Sequence, residues 1–498
     1  MRRLLALGAA LAAFAAPAAE SAAKTYDLVL RGGTAIDPET GLHGRRDVGI
    51  DGGTIAYVGP PGPSGRETLD VTGLVVSPGF IDLHVHGQNP LSYDFMARDG
   101  VTTALDLELG AHGVSDFLAE REGQARIHYG VSAGHIPARV KLVYGISGGH
   151  PATRSSDVFG ALLRLIQRYV QPTGFATEPA DAAGIAELVA ILEEQLDQGG
   201  IGIGMGLAYT PGATQEEVRA VFELAARRGV PCFVHLAAQQ SPTDTEPIES
   251  ILAHARVTKA SLHVVHVASS GQDAIDAYLG AVEQALAEGL DVTTEVYPYT
   301  AFSTFIESEL FSEGWQERTG MDYGDLQWTE TGERLTQESF ERYRSRGGTV
   351  IGHGMKPENV RKAVIHPLVM IASDGMAMYD GGEHPRSAGT HARVLGRYRR
   401  EEGVITLRQA IPKLTLMPAQ RLERFVPAMK KKARLQVGAD ADLTIFDPKT
   451  IMDRATYEDS HQPSAGIPYV LVGGTFVVRD GELVEGAMAG KAVRAGAQ

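Results

Sequence analysis

Residues 75–87 read VVSPGFIDLHVHG. The apolar run halts at Pro78-Gly79, resumes as Phe80-Ile81, and then yields Asp82, His84 and His86 before Gly87. His84 and His86 stand two apart, so in extended backbone both side chains point to one face. Two imidazoles on one face, where a strand gives way to glycine, suit a divalent cation. The same spacing also serves two partly buried, hydrogen-bonded histidines, and spacing alone leaves both readings open. What the stretch does decide is layout: a strand apolar along its length, with polar groups gathered at its C-terminal end. In parallel α/β folds that end is where sites form.

The pattern continues outward. Short apolar runs, each followed by a loop or a helical stretch, recur as TTALDLE, IGIGMGLAY, PCFVHLAA, SLHVVHVA, GLDVTTEVYPY, TVIGHG and VMIASDG. DVFGALLRLIQRYV, DAAGIAELVAILEEQLDQG, TQEEVRAVFELAARRG and GQDAIDAYLGAVEQALAEG repeat apolar residues at three- and four-residue intervals, the helical signature. Strand–helix alternation on this scale predicts an α/β fold with a parallel sheet, and the strand count fits a (β/α)8 TIM-like barrel; an open doubly wound sheet is the rival. Residues 301–347 break the rhythm, being long, aromatic and charged, and read as an insertion able to cover a site. Both chain ends have another texture, short strands cornered by Gly-Gly and Asp-Gly, and are expected to build one small β-sandwich together. The organisation predicted is therefore a signal peptide over 1–23, sandwich strands over 24–78, a barrel over 79–429 carrying the insertion over about 301–347, and the remaining sandwich strands over 430–498.

The first residues, MRR followed by LLALGAALAAFAA and then PAAESAA, have the charged, apolar and small-residue regions of an export signal. The apolar part is shorter than the roughly 20 residues a spanning helix needs, so export to the periplasm or medium, with no stable membrane anchor after cleavage, is expected. Cys232 is the single cysteine, so no internal disulfide can form; facing away from His235 on its strand, it is expected to be buried and inert. The net charge of −15 and the absence of a basic block argue against a nucleic-acid partner. Oligomeric state leaves no mark in the sequence.

Further polar residues collect at strand ends. PCFVHLAA ends in His235, SLHVVHVASSG passes through His266, and VMIASDGM ends in Asp374. With His84 and His86 they would converge on one rim, and imidazole and carboxylate are ordinary ligands of zinc and related ions. His263 and His266 are three apart and would face opposite sides of a strand, so His266, followed by the polar SSGQ loop, is taken for the cluster and His263 is expected to pack outside it. Asp106 and Glu108 in TTALDLELG share a face; Glu108, nearer the strand end, is the candidate ligand. Lys141 in RVKLVYG begins a strand-like run and could bridge metals if carbamylated, or be a salt-bridged surface lysine. His150 is a pocket candidate in a Gly-rich loop; His353 could contact substrate or orient Asp374, or be structural. Tyr297 and Tyr299 share a face with Glu295, and one tyrosine could enter the pocket. The glycines of GIGIGMG lack nucleotide-fingerprint spacing and suit close strand packing.

PGFIDLHVHG resembles the first-strand metal motif of the amidohydrolase superfamily. GIGMGLAYTPGA, DVTTEVYPYTAFST, the stretch from MIASDGM through HPRSAGTHARVLGRYRREEGVITLRQAI, and the tail from GADADLTIFDP to VLVGG are similar to N-acyl-D-amino-acid deacylases, also called D-aminoacylases. The likeness spans essentially the whole chain after residue 23. It implies metal binding by His84, His86, His235 and His266, one or two Zn2+ ions, Asp374 as the acid/base, and Tyr209 polarising the scissile carbonyl. Three departures stand out. Leu109 occupies the position of the family's cysteine ligand, with Glu108 beside it and inferred to take the bridging role. Ala268 stands where a lysine is usual. The insertion begins TAFSTFIESELFSEGW, without the expected arginine, leaving Arg386 as a candidate cation for a substrate carboxylate, or a brace for Glu383; His384 reads as structural or supporting. The reaction expected is hydrolysis of an amide C–N bond in a small molecule. A cyclic amidase or dipeptidase would use the same rim, and a noncatalytic binding protein on the same barrel is the reading from another class.

Overall fold

The computed structural model describes residues 24–145, 174–379 and 382–496. The proposed signal sequence, the helical stretch over 157–170 and His150 lie outside the described residues. Eight strands form a wholly parallel sheet in chain order: Phe80–Asp82, Val101–Ala111, His128–Gly134, Ile203–Gly206, Pro231–His235, Ser261–Val264, Val292–Val296 and Val369–Ile371. The first and last meet through a Val85–Gly375 bridge, and the His86 and Gly87 amides donate to Gly375 O at 2.8 and 3.0 Å. The Asp82 carboxylate clasps the same seam by accepting from the Ser373 amide at 3.1 and 3.2 Å and from the His84 amide at 3.1 Å. The barrel is thus closed at the point where His84, His86 and Asp374 leave it.

Helices back the strands as their periodicity requires. Ala182–Asp197 starts at Asp181, whose side chain accepts from the Gly184 amide, and Gln215–Arg228 runs from a Thr214 cap to Gly229 in left-handed conformation. The barrel is filled by Ile81, Leu83, Leu105, Leu107, Phe233 and Met370 among others, an apolar floor beneath the rim.

Two sequence expectations are corrected here. Thr349–Gly352 is not a barrel strand; it is the centre of a three-stranded antiparallel sheet between Phe302–Phe305 and Leu326–Trp328. The missing barrel strand is His128–Gly134, whose HYGVSAG sequence has too few large apolar residues to announce itself, although every residue is buried. Lys141 lies in the helix His135–Tyr144, not on a strand, because the helix begins directly at the end of the third barrel strand. The antiparallel sheet joins two strands from within the 301–347 stretch to Thr349–Gly352 just beyond it, and that stretch has its own aromatic core of Phe311, Trp315, Trp328, Phe340 and Tyr343.

Strands from both chain ends form one nine-stranded mixed sheet, in which Val75–Pro78 pairs with Leu443–Phe446. Asp442 ties it to the barrel: its carboxylate meets His128 Nε2 at 3.1 Å and Lys432 Nζ at 2.6 Å, and its carbonyl accepts from the Gly79 amide at 2.8 Å. Burial opposes its charge, but Lys432 and His128 hold its carboxyl well below the usual carboxylate range. The entry of the first barrel strand, and so the placing of His84, is fixed by this junction. Among the described residues no helix is long and apolar enough to cross a membrane.

Candidate metal centre and active site

His84 Nε2 and His86 Nε2 approach to 3.2 Å, and each lies 3.4 Å from Asp374 Oδ1. Both rings are held from behind. Glu295 Oε1 lies 2.6 Å from His84 Nδ1, and Asp106 Oδ2 lies 3.2 Å from His86 Nδ1. A carboxylate on each Nδ1 fixes the proton of the neutral ring there, so that Nε2, once it has given up any second proton, is the nitrogen that faces the common point, the usual arrangement behind ligating histidines.

Glu108 reaches the same point through an irregularity. Pairing between the second and third barrel strands jumps from Asp106–Val131 to Ala111–Ala133. The excess residues form a bulge that Asp106 Oδ1 closes by accepting from the Leu109 and Gly110 amides, 3.2 Å each, with Gly110 at φ 68°. Glu108 Oε2 then stands 3.5 Å from His86 Nε2 and 3.9 Å from His84 Nε2, while Oε1 stands 3.4 Å from His235 Nδ1. Leu109, at the cysteine position, is passed over. Gly204 on the fourth barrel strand allows the approach, since a Cβ there would lie 2.3 Å from Glu108 O.

His235 Nδ1 meets His266 Nε2 at 3.0 Å. His266 arrives by a backbone turn: its φ is 34°, in the left-handed region, at the end of the Ser261–Val264 strand. That turn corrects the sequence argument about His263. Strand alternation ends before His266, so both histidines point inward; His263 is fully buried, with Nε2 at 3.1 Å from Glu295 Oε2. Asp374, at φ 51°, is turned by the same device.

Three side chains form the wall beside Asp374. Arg386 Nη1 lies 2.9 Å from Asp374 Oδ2, and its guanidinium stacks on Tyr297 at 4.6 Å. Arg386 does not brace Glu383, which accepts instead from the Tyr379 amide, Ser460 and His461. The Tyr209 ring packs on His235 at 4.8 Å, and its hydroxyl meets Thr304 Oγ1 from the insertion at 3.1 Å. His353 sits on the insertion sheet, held by Gln327 Oε1 at 2.9 Å and against Tyr457, rather than against Asp374. His384 is structural, its Nε2 bonded to Ala301 O. Tyr299 is buried away from the centre, its hydroxyl donating to Pro385 O and Asp453. Cys232 is fully buried, its thiol pushed up to about 12 by that burial. Asp106, Glu295, His263 and Thr304 complete the centre without having been marked as its supports by sequence; the face that Asp106 shares with Glu108 and the inward period of Glu295 with Tyr297 pointed that way.

Charge follows geometry. Burial opposes a charge on His84, but Asp374 and Glu295 outweigh it and raise its pKa to about 9. His86 is raised likewise, against burial, by Asp106 and Asp374. Burial and the neighbouring His235 hold His266 well below its ordinary value. Asp374 is held low, against burial, by Arg386 and His84. Burial, with the Glu108 charge, pushes the Tyr209 phenol up, so it keeps its proton.

The residues fit a divalent cation. His84, His86 and Asp374 offer ligand atoms all within 4.8 Å of one another, and Glu108 Oε1 is buried without a hydrogen-bond partner. Because His84, raised to about 9, holds a second proton at neutral pH in the ion-free site, a cation that takes its Nε2 must displace that proton. Apparent affinity is therefore expected to rise about tenfold per unit between about pH 6 and pH 8 in a chelator-competition titration. A flat profile would show that the imidazoles were already neutral.

Two family profiles, both described as Amidohydrolase family, match residues 190–478 and 75–264. N-acyl-D-glutamate deacylase of Alcaligenes xylosoxydans xylosoxydans is 31% identical over 478 residues, covering 91% of this chain and 93% of that protein. D-aminoacylase of the same organism is 29% identical, covering 91% and 95%. The crystal structure of N-acyl-D-glutamate deacylase from Bordetella bronchiseptica, complexed with zinc and a phosphonate mimic of the tetrahedral intermediate, superposes with a TM-score of 0.76 at 25% identity, covering 95% of this chain and 100% of that one.

Proposed function

The chain belongs to the amidohydrolase family and is a metal-dependent amidohydrolase, and from that premise we propose that it hydrolyses N-acyl-D-amino acids with zinc as its cation. The observation that supports this best is the convergence of His84 Nε2, His86 Nε2 and Asp374 Oδ1 on one point, in a chain alike to a deacylase over nine-tenths of its length. His84, His86 and Asp374 would hold one ion; Glu108, lying between the two imidazole pairs, would bridge to a second on His235 and His266. A divalent ion held there lowers the pKa of water and polarises a carbonyl oxygen.

The protein's own groups supply the rest. Asp374 is ionised at neutral pH, so it can accept the proton of the attacking water and return it to the departing nitrogen. Tyr209, kept protonated, donates its O–H to the oxygen on which negative charge develops. Arg386 holds Asp374 in place and, stacked on Tyr297, is the guanidinium against which a substrate carboxylate would lie. Export is a further part of the proposal. It rests on residues 1–23 alone, and N-terminal sequencing of the protein recovered from its native compartment tests it.

The zinc-loaded enzyme should be offered N-acetyl-D- and L-amino acids, dipeptides and cyclic imides, with release of the amine followed. Turnover of the D series should exceed the L series by about 100-fold. Turnover of a cyclic imide or dipeptide alone would make the protein a cyclic amidase or dipeptidase. Turnover of nothing, with no ion retained, would favour a binding protein.

A further inference from the structure

Just below the rim, the barrel interior holds polar side chains that touch no reacting atom. His263 on the sixth strand stands opposite Thr293 on the seventh, and Thr293 shares its inward face with Glu295. His263 bridges the two: Nδ1 meets Thr293 Oγ1 at 2.7 Å and Nε2 meets Glu295 Oε2 at 3.1 Å. The other oxygen of Glu295 holds His84 Nδ1. A chain of contacts therefore runs from Thr293 through His263 and Glu295 to His84, resting on the apolar floor, with Phe233 packed 5.5 Å from the His263 ring.

Donors and acceptors fix its sense. Glu295, ionised, accepts at both oxygens. For Nε2 of His263 to donate to it, Nδ1 must be the acceptor, and the Thr293 hydroxyl supplies the hydrogen. A buried carboxylate with one oxygen unpartnered is costly and turns to find a donor. In turning, it would release His84 Nδ1, and with it the proton and ring direction that present Nε2 to the rim.

We propose that His263 is a positioning residue for the metal centre, acting through Glu295 to set the tautomer and direction of His84. The inference deepens the metal reading above and rests on His84 being a ligand, but not on the identity of the substrate.

The test is zinc affinity by chelator competition on the full chain, with melting temperature measured with and without zinc. His263→Leu is expected to weaken zinc binding by about 10- to 100-fold. His263→Gln, whose side-chain amide can donate to Glu295, should restore binding to within about threefold of wild type. A merely structural histidine would lower the melting temperature without zinc and leave affinity unmoved. A folded His263→Leu protein that binds zinc within about twofold of wild type overturns the proposal. If that variant does not fold, Thr293→Val decides: weaker zinc binding supports the proposal, and unchanged affinity overturns it. A wild-type chain that binds no zinc sinks the metal reading and this inference together. Absence of deacylase activity with zinc still bound sinks only the substrate assignment.

Discussion

Replacing Asp374 with asparagine is expected to cut kcat by about 10³- to 10⁴-fold, with the fold and most of the bound ion left in place. Asparagine matches aspartate in size and is among the few side chains at ease at the φ of 51° found there. What it lacks is the capacity to accept a proton from water. Oδ1 faces both imidazoles at 3.4 Å and Oδ2 faces Arg386 at 2.9 Å, so the substitution removes charge from the middle of the site without opening a cavity. KM should move far less than kcat, because the lost interaction belongs to proton transfer. Steady-state kinetics, metal content and melting temperature measured on one preparation separate the effects. Turnover within tenfold of wild type would remove Asp374 from the role of acid and base.

The second large effect is expected at Glu108. In the ion-free protein, Oε1 is a buried carboxylate oxygen without a hydrogen-bond partner, a costly state that a cation relieves. Glu108→Gln should therefore leave the ion-free protein as stable as before, or more so. With zinc the order reverses. A ligand at 100 times its Kd stabilises the wild type by about 2.7 kcal/mol, and a variant whose affinity has fallen 100-fold recovers only about 0.4 kcal/mol at the same zinc concentration. Thermal unfolding with and without zinc reads this difference directly, and activity should fall with the ion content. An equal zinc-induced rise in melting temperature in both proteins would show that the carboxylate is not a ligand and that Leu109 marks a lost position, not a shifted one.

What could be read from sequence, and what could not, divides along physical lines. His84 and His86 were legible because the period of two holds through that strand and its end. The helices Ala182–Asp197 and Gln215–Arg228 were legible because their apolar period and caps agree. The assignment of His263 to the outside failed because a left-handed residue breaks the period, and nothing in SLHVVHVASSG signals such a turn. Glu108 was picked out by position, yet the bulge that delivers it depends on Asp106 accepting two amides, a contact with no local pattern. His128–Gly134 was missed because a strand buried on both sides by larger neighbours can itself be small and polar. Thr349–Gly352 was misplaced because an apolar tetrapeptide looks the same in either kind of sheet.

The positive φ angles at His266 and Asp374 limit which substitutions can be interpreted. Valine, isoleucine or threonine at either place would collide with its own main chain before any question of chemistry arose. Loss of function in such variants would report a misdirected loop. Glycine and asparagine follow the same path without a clash, and so they are the replacements that let backbone and side chain be questioned separately at this rim.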